Sequence, residues 1–218
     1  MKTLQEFLAQ SINPYLSVAI SIILCIVIPY LLGSVNFALV ISKIFYKDDI
    51  RNHGSGNAGM TNMLRTYGKG AAAGTLLCDI LKAVIAVWFG QFVFGYIGAY
   101  IAGLFAVLGH IFPIFFKFRG GKGVATTAAM VLAIDPLAFL ILFVLFVLIV
   151  ATTKYVSLGS VVCMLVYPVL TYCLGGQGFP TLFSFAVAAI VVFMHRSNIK
   201  RLMNGTENKI SLSKKDKK

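Results

Sequence analysis

A glycine-rich stretch at residues 54–62, GSGNAGMTN, holds several groups that could bind a ligand. Three glycines within its first six residues allow the backbone to turn N–H groups toward a bound molecule. Side chains add further donors, and these are Ser55, Asn57, Thr61, Asn62 and Arg65. Because the set offers donors without carboxylates, it is typical of a site for an anion such as phosphate. Alone, the same composition also fits a flexible loop between helices.

A second stretch, FRGGKGVATT at residues 118–127, places glycines and a lysine directly before an apolar run. If that run is helical, Gly120, Gly121 and Lys122 lie at the positive end of a helix, where N–H groups and an ammonium favour an anion. The logic is that of a nucleotide-binding P-loop, but the GxxxxGK[ST] pattern and a preceding strand are absent. This stretch therefore predicts a second contact with an anionic ligand.

Two later stretches carry weaker signals. Ser157 lies in the sequence KYVSLGS, where it could bind a ligand or simply cap a helix. In the sequence HRSNIKR at 195–201, His195, Asn198 and Arg201 share one face of a helix by their spacing of three. The alternative for this stretch is a basic amphipathic segment that lies on lipid headgroups.

Few other polar residues interrupt the apolar segments. Asp79 and Lys82 are three residues apart on one predicted helix, which fits a buried ion pair or a catalytic role. His110 lies near the end of another segment and could be a hydrogen-bonded core histidine. Clustered carboxylates and Cys/His ligand spacings are both missing from the sequence, so we predict neither a metal nor a cofactor.

The composition requires a lipid environment for the elements that position these residues. Hydrophobic residues make up 59% of the 218 and charged residues only 12%, whereas soluble domains carry about a quarter. The net charge of +12 could suggest nucleic acid as a partner. Because the basic residues form short clusters between apolar runs, they fit membrane topology instead, and we predict no nucleic-acid binding.

Seven apolar segments are candidates for transmembrane helices, which predicts an all-α membrane protein. They cover about residues 15–42, 70–90, 92–115, 122–134, 136–152, 156–174 and 180–194. The first is long, and its Pro29, Gly33 and Asn36 predict a kinked helix. The fourth is short and could be a re-entrant segment instead of a full span.

The distribution of basic residues predicts the orientation. Loops after the first, third and fifth segments, together with the C-terminal region, carry 17 of the 19 Lys and Arg residues. The positive-inside rule then places the N-terminus outside and the C-terminus in the cytoplasm. All four polar stretches would face the cytoplasm, where they could converge on one site. We expect one membrane domain at 1–209 and a basic cytoplasmic tail at 210–218.

Three of these stretches closely resemble one family. They are GSGNAGMTNMLR at 54–65, GHIFPIFFKFRGGKGVAT at 109–126 and HRSNIKRLMNGTENK at 195–209. In order and spacing they resemble the bacterial acyl-phosphate:glycerol-3-phosphate acyltransferases of the PlsY type. Met60 stands where that family usually has alanine, and Lys154 where arginine is common.

The resemblance implies a reaction and a location. An acyl chain would pass from acyl phosphate to the 1-hydroxyl of glycerol 3-phosphate, giving lysophosphatidic acid and phosphate in bacterial phospholipid synthesis. The enzyme would be a multi-pass protein of the bacterial inner membrane, in contact with membrane lipid, with its active site on the cytoplasmic side. The enzyme that supplies acyl phosphate is a further partner that the resemblance suggests.

The resemblance also implies roles for individual residues. Phosphate oxygens would be held by Ser55, Asn57, Thr61 and the backbone of Gly120 and Gly121, with Asn62 as a further donor. Positive charge would come from Arg65 and Lys122. Glycerol 3-phosphate would be oriented by Ser157, His195 and Asn198. The catalytic residues predicted in this way are Ser55, Arg65, Lys122 and His195. Either His195 or a substrate phosphate would accept the hydroxyl proton.

A transporter for an anionic metabolite is the main alternative. Such proteins usually contain internal repeats and bind their substrate near the middle of the membrane. The sequence shows no repeat, and its polar residues crowd one predicted side. These features favour the enzyme.

Overall fold

The computed structural model describes residues 2–210, and within that range the chain is helical without any strand. The α-helices are α1 (Leu4–Leu8), α2 (Pro14–Ser34), α3 (Phe37–Phe45), α4 (Met60–Tyr67), α5 (Lys69–Ile111), α6 (Val124–Ile134), α7 (Pro136–Thr153), α8 (Val156–Cys173), α9 (Phe179–Met194) and α10 (Arg196–Met203). Two short 3₁₀ helices cover Ile50–Asn52 and Ile114–Phe116. The predicted all-α fold class is confirmed. Of the predicted tail at 210–218, all but the first residue lies outside the described residues.

The helices have the length and composition of membrane spans. In the described range four segments pass this test, namely Pro14–Phe45, Lys69–Phe116, Pro136–Thr153 and Val156–Cys173. A fifth results if α9 and α10, which meet at an angle of 59°, form one span. Helix α6 is apolar but rises only about 16 Å, roughly half the thickness of the hydrocarbon core. The number of crossings and the orientation of the termini stay predictions.

Helix α5 is two antiparallel arms joined by a tight turn. Phe94 and Gly95 leave helical geometry, with φ of −139° and +59°. A side chain on either Gly90 or Gly98 would collide with the carbonyl oxygen of the other. On a straight helix these glycines would be about 12 Å apart, so the chain must fold back between them. The two arms correspond to the segments predicted at 70–90 and 92–115.

The chain divides into two compact units, one up to Asp135 and one from Pro136 onward. In the first unit, α2 packs closely against α5 through small residues. A side chain on Gly33 would strike the backbone of Ala106, and one on Gly109 would strike the backbone of Tyr30. Small residues allow such close approach in membrane helices. The prediction of a single membrane domain over 1–209 stays a prediction.

The kink predicted in the first apolar segment lies near its end, between α2 and α3. Pro29 lies inside α2 without ending it, and the helix stops at Ser34. Asn36 then starts α3 by accepting a hydrogen bond from the N–H of Leu39 at 3.1 Å. Val35 and Asn36 thus form a break inside an apolar segment.

In the second unit, α8 packs on both α7 and α9. The thiol of Cys163 donates to the carbonyl of Leu142 at 3.2 Å, which joins α8 to α7. After α10 the chain returns to the start of α8, where the N–H of Ile210 donates to the carbonyl of Lys154 at 2.8 Å. This return brings residues 204–210 beside the polar beginning of α8.

Candidate active site

The first glycine-rich loop is held in shape by Asn62. Its side-chain oxygen accepts from the N–H of Ser55 at 2.9 Å, and its amide donates to the carbonyls of Ile50 and His53 at 3.1 and 2.9 Å. Asn62 is only 1% exposed. This amide therefore holds the loop itself, and the role of Asn62 as a substrate ligand stays a prediction. Gly54 is required here, since it combines a φ of +56° with close contact to that same amide.

The other predicted donors of this loop remain at or near the surface. Ser55 is exposed, and Asn57 and Thr61 are half-buried. Arg65 is exposed on α4, whose first turn carries no side-chain cap. The start of α4 therefore adds N–H groups of the kind that favour an anion. Their binding of phosphate oxygens stays a prediction.

The second glycine-rich loop folds back onto the end of α5. The N–H of Gly120 donates to the carbonyl of Ile111 and that of Gly121 to the carbonyl of His110, each at 3.1 Å. Both N–H groups thus donate within the protein, and the binding of phosphate by this backbone stays a prediction. Lys122 is half-buried and immediately precedes Gly123, the residue before α6, which has a φ of +82°. Lys122 thus lies at the positive end of α6, as the sequence predicted.

The two loops lie against each other within the first unit. A side chain on Gly121 would strike both the carbonyl oxygen of Ala58 and the Nε2 atom of His110. Ala58 belongs to the first loop and is fully buried. The absence of a side chain at Gly121 is therefore what allows the two backbones to touch.

Arg51 joins the same two regions from the side. Its Nη1 atom donates to the carbonyls of Phe116 and Arg119 at 3.2 and 3.1 Å. Asp49 pairs with Arg51 at 2.6 Å. The hydrogen bonds from Arg51 hold the pKa of Asp49 below its usual value. Sequence reasoning missed this arginine, since only the fold shows that it reaches the second loop.

In the second unit, Glu207 gathers the predicted residues. Its Oε1 atom accepts from the hydroxyl of Ser157 at 2.8 Å and from the amide of Asn198 at 2.7 Å. Its Oε2 atom accepts from Nε of Arg201 at 2.7 Å. Partial burial acts to raise the pKa of Glu207, but the hydrogen bonds from Asn198, Ser157 and Arg201 outweigh it and lower the pKa. Glu207 was missed as a site residue, although a lone carboxylate in a strongly basic stretch was a signal for it.

His195 lies at the bend between α9 and α10 and is 3% exposed. Its Nδ1 atom is 2.8 Å from the carbonyl oxygen of Val191. Because a carbonyl only accepts, Nδ1 carries the proton, and Nε2 of the neutral ring is then an acceptor. This tautomer is the one that a general base requires.

The helices and the donor-rich loops define an integral membrane protein with candidate sites for anionic groups. Comparison with known protein families shows which family of membrane proteins this is. Residues 23–205 match the family model of glycerol-3-phosphate acyltransferase. The chain belongs to the glycerol-3-phosphate acyltransferase family, and the resemblance seen in the sequence is confirmed.

Individual relatives cover nearly the whole chain. A glycerol-3-phosphate acyltransferase of Thermoanaerobacter pseudethanolicus is 46% identical over 188 residues, which are 86% of this chain and 95% of the relative. Glycerol-3-phosphate acyltransferase 3 of Bacillus anthracis is 47% identical over 195 residues, with coverage of 89% and 98%. The crystal structure of the integral membrane glycerol 3-phosphate acyltransferase PlsY in its glycerol 3-phosphate form matches with a TM-score of 0.82 at 34% identity, covering 88% of this chain and 96% of that one. Its lysophosphatidic acid form matches with a TM-score of 0.79.

Proposed function

We propose that this protein transfers a fatty acyl group from acyl phosphate to the 1-hydroxyl of glycerol 3-phosphate, giving lysophosphatidic acid and phosphate. The observation that carries the proposal is the contact between two donor-rich loops, one leading to Arg65 and the other to Lys122, in a member of this family. The relatives' names support the acceptor, and the PlsY structures in glycerol 3-phosphate and lysophosphatidic acid forms support acceptor and product. The choice of acyl phosphate as donor rests on the sequence resemblance.

The first unit supplies the charge that the reaction requires. Both substrates carry phosphate, so their mutual repulsion must be neutralised before the reacting atoms can meet. Lys122 and Arg65 provide fixed positive charge, and the hydroxyl of Ser55 adds a neutral donor to phosphate oxygens. Asn57 and Thr61 serve as further donors. Gly120, Gly121 and Asn62 act by shaping the two loops.

The second unit supplies the groups that bind the acyl acceptor, glycerol 3-phosphate. Glu207 fixes the hydroxyl of Ser157 and the amide of Asn198, which orients both side chains for the binding of glycerol 3-phosphate. His195 holds its proton on Nδ1, so Nε2 is the ring nitrogen of acceptor type. His195 then takes the proton of the 1-hydroxyl as this oxygen attacks the acyl carbon.

The transfer needs no acyl-enzyme, because acyl phosphate is a mixed anhydride already activated for attack. The hydroxyl oxygen forms a bond to the acyl carbon while the bond from that carbon to the phosphate oxygen breaks. The leaving phosphate retains the electron pair of that bond, and Lys122 stabilises its charge. The developing oxyanion at the acyl carbon is stabilised by the same positive field.

The cellular setting follows from the orientation predicted by the basic residues. We place the protein in the bacterial inner membrane with its active site toward the cytoplasm, where it serves phospholipid synthesis. A cytoplasmic enzyme that makes acyl phosphate would supply the donor. Glycerol 3-phosphate is water-soluble and would enter from the same side.

Phosphate release from the purified protein tests the function. Palmitoyl phosphate and glycerol 3-phosphate are supplied together, and each is then omitted in turn. Release that requires both substrates, with lysophosphatidic acid as product, is the expected result. Transfer from palmitoyl-CoA but not from palmitoyl phosphate would overturn the donor while leaving the acceptor intact.

A further inference from the structure

A charged cluster is buried in the helices of the first unit. Asp79, Lys82 and His110 are 1%, 2% and 3% exposed. Asp79 and Lys82 lie on the first arm of α5 with Nζ and Oδ1 2.8 Å apart, and His110 lies on the second arm, its Nδ1 atom 3.1 Å from Nζ. Burying such groups is costly, and well-packed apolar residues would hold the same helices at lower cost. The cluster therefore calls for a purpose other than stability.

Lys82 reaches the break between α2 and α3. Its ammonium donates to the carbonyls of Gly33 and Val35 at 3.1 and 2.8 Å. These are carbonyls at the end of α2, where a positive charge is favourable. The next residue, Asn36, donates its amide to the carbonyl of Ala58 at 3.2 Å. Contacts from Lys82 thus lead through one residue to the first glycine-rich loop.

His110 reaches the second loop directly. Its carbonyl accepts the N–H of Gly121, and its ring edge at Nε2 fills the space beside that glycine. The Nδ1 atom lies 3.1 Å from Nζ of Lys82 and 3.5 Å from Oδ1 of Asp79. Lys82 and Asp79 therefore fix the position of the ring beneath Gly121.

We propose that Asp79, Lys82 and His110 form a buried positioning cluster that holds the two glycine-rich loops in contact with each other. None of the three touches substrate in this proposal, which rests on the proposed function of those loops. Asp79 balances the charge of Lys82, Lys82 fixes the α2–α3 break, and His110 supports Gly121. The cluster acts on catalysis through the placement of Lys122 and of the donors near Ser55.

His110→Asn is the variant that separates positioning from folding. Its amide replaces Nδ1 as the polar group beside Lys82, while the ring edge beside Gly121 is lost. We expect a melting temperature close to that of the unmodified protein and a fall in kcat/KM for both substrates of roughly tenfold or more, as small misplacements of catalytic groups cause. Thr75→Val is the matched control, because Thr75 is buried on the same arm and its hydroxyl donates to the carbonyl of Ala71 within its own helix. Unchanged kinetics of His110→Asn would overturn the proposal.

A charge-neutral pair provides the second test. Lys82→Met alone leaves Asp79 buried without its partner and should lower the melting temperature strongly. Adding Asp79→Asn removes that charge, so the double variant should regain stability but still lack the donors to Gly33 and Val35. We expect its turnover to stay at least tenfold low. Recovery of turnover together with stability would show a merely structural pair.

The outcome for the proposed function is read separately, from the unmodified protein. If that protein fails to transfer acyl groups, the proposed function is wrong, and the cluster is then tested by the affinity for glycerol 3-phosphate in calorimetry. His110→Asn should weaken this binding about tenfold. Equal affinity in both proteins would overturn the cluster as well.

Discussion

The two candidate sites, one in each unit, are built in opposite ways. In the first unit, loops are shaped by glycines and by the neutral amide of Asn62, and their backbones pack directly on each other. In the second unit, one carboxylate, Glu207, gathers the side chains of Ser157, Asn198 and Arg201. A backbone-shaped site is sensitive to added volume, whereas a carboxylate-centred site is sensitive to charge and pH. This difference predicts which kinds of substitution each of the two sites tolerates.

Loss of the ammonium of Lys122 should have the largest effect. Lys122→Met keeps the length of the side chain but removes its charge, and we expect turnover to fall by about 10³-fold, as for other groups that stabilise a transition state. Phosphate release and thermal melting measure activity and fold in the same preparation. Lys117→Met, an exposed position in the same loop, is the control. Near-normal turnover of Lys122→Met would show that the charge of Lys122 does not contribute to catalysis.

His195→Asn tests the proposed general base of the second unit. The amide nitrogen of Asn can retain the bond to the carbonyl of Val191, while the acceptor at Nε2 is lost. We expect kcat/KM to fall about 10²-fold, with loss of the decline in rate at acid pH that follows protonation of an imidazole. Rates measured from pH 5 to pH 9 decide the matter. If the decline persists in the variant, a substrate phosphate accepts the proton instead.

Added volume at Gly121 should damage the site of the first unit. Gly121→Ala places a methyl group against the ring of His110 and the carbonyl of Ala58, so the loops must separate. We expect a loss of activity of roughly tenfold or more. In Gly70→Ala, the control, the new methyl group meets no atom of the described residues within 4 Å, so activity should stay unchanged. Equal activities of the two variants would contradict the close packing of the loops.

Removal of the Glu207 charge should have a smaller effect, and this effect is on stability. Glu207→Gln weakens the bonds from Arg201 and Asn198, and we expect a loss of about 2 kcal/mol in unfolding free energy at neutral pH. Because the folded state lowers the pKa of Glu207, its contribution is present above about pH 4.3 and disappears as pH falls through the folded value. The melting temperatures of the two proteins should therefore converge in acid. A gap that is independent of pH would mean that the carboxylate charge is not the source.

A double-variant cycle sharpens this result. Arg201→Gln and Glu207→Gln should together cost less than the sum of the single changes, since each alone leaves a partner without its bond. Additive losses would assign the stability to packing rather than to the ion pair.

Local pattern was enough to predict the apolar helices, because apolar length and turn residues are local properties. The shorter helices α1 and α4 lie outside the predicted segments. The turn at Phe94 and Gly95 lies a few residues beyond the predicted boundary, since nothing in the sequence distinguishes Gly95 from Gly90 as the turning point. The residue types of the candidate site could be proposed from the sequence as well. Its hydrogen bonds could not, because Gly121 donates to a carbonyl eleven positions earlier and Glu207 accepts from a hydroxyl fifty positions earlier. Such pairings depend on the fold.

The two-residue turn in α5 also bears on how the protein is made. Its arms are adjacent in the chain, so they can pair soon after the second arm leaves the ribosome, before the later helices exist. Asp79 and Lys82 lie one turn apart on the first arm, so neither charge need enter the bilayer alone. His110 joins them when the hairpin closes. The helical hairpin would then be the first part of the protein to insert stably into the membrane. His110, which supports the second glycine-rich loop, would already be in position.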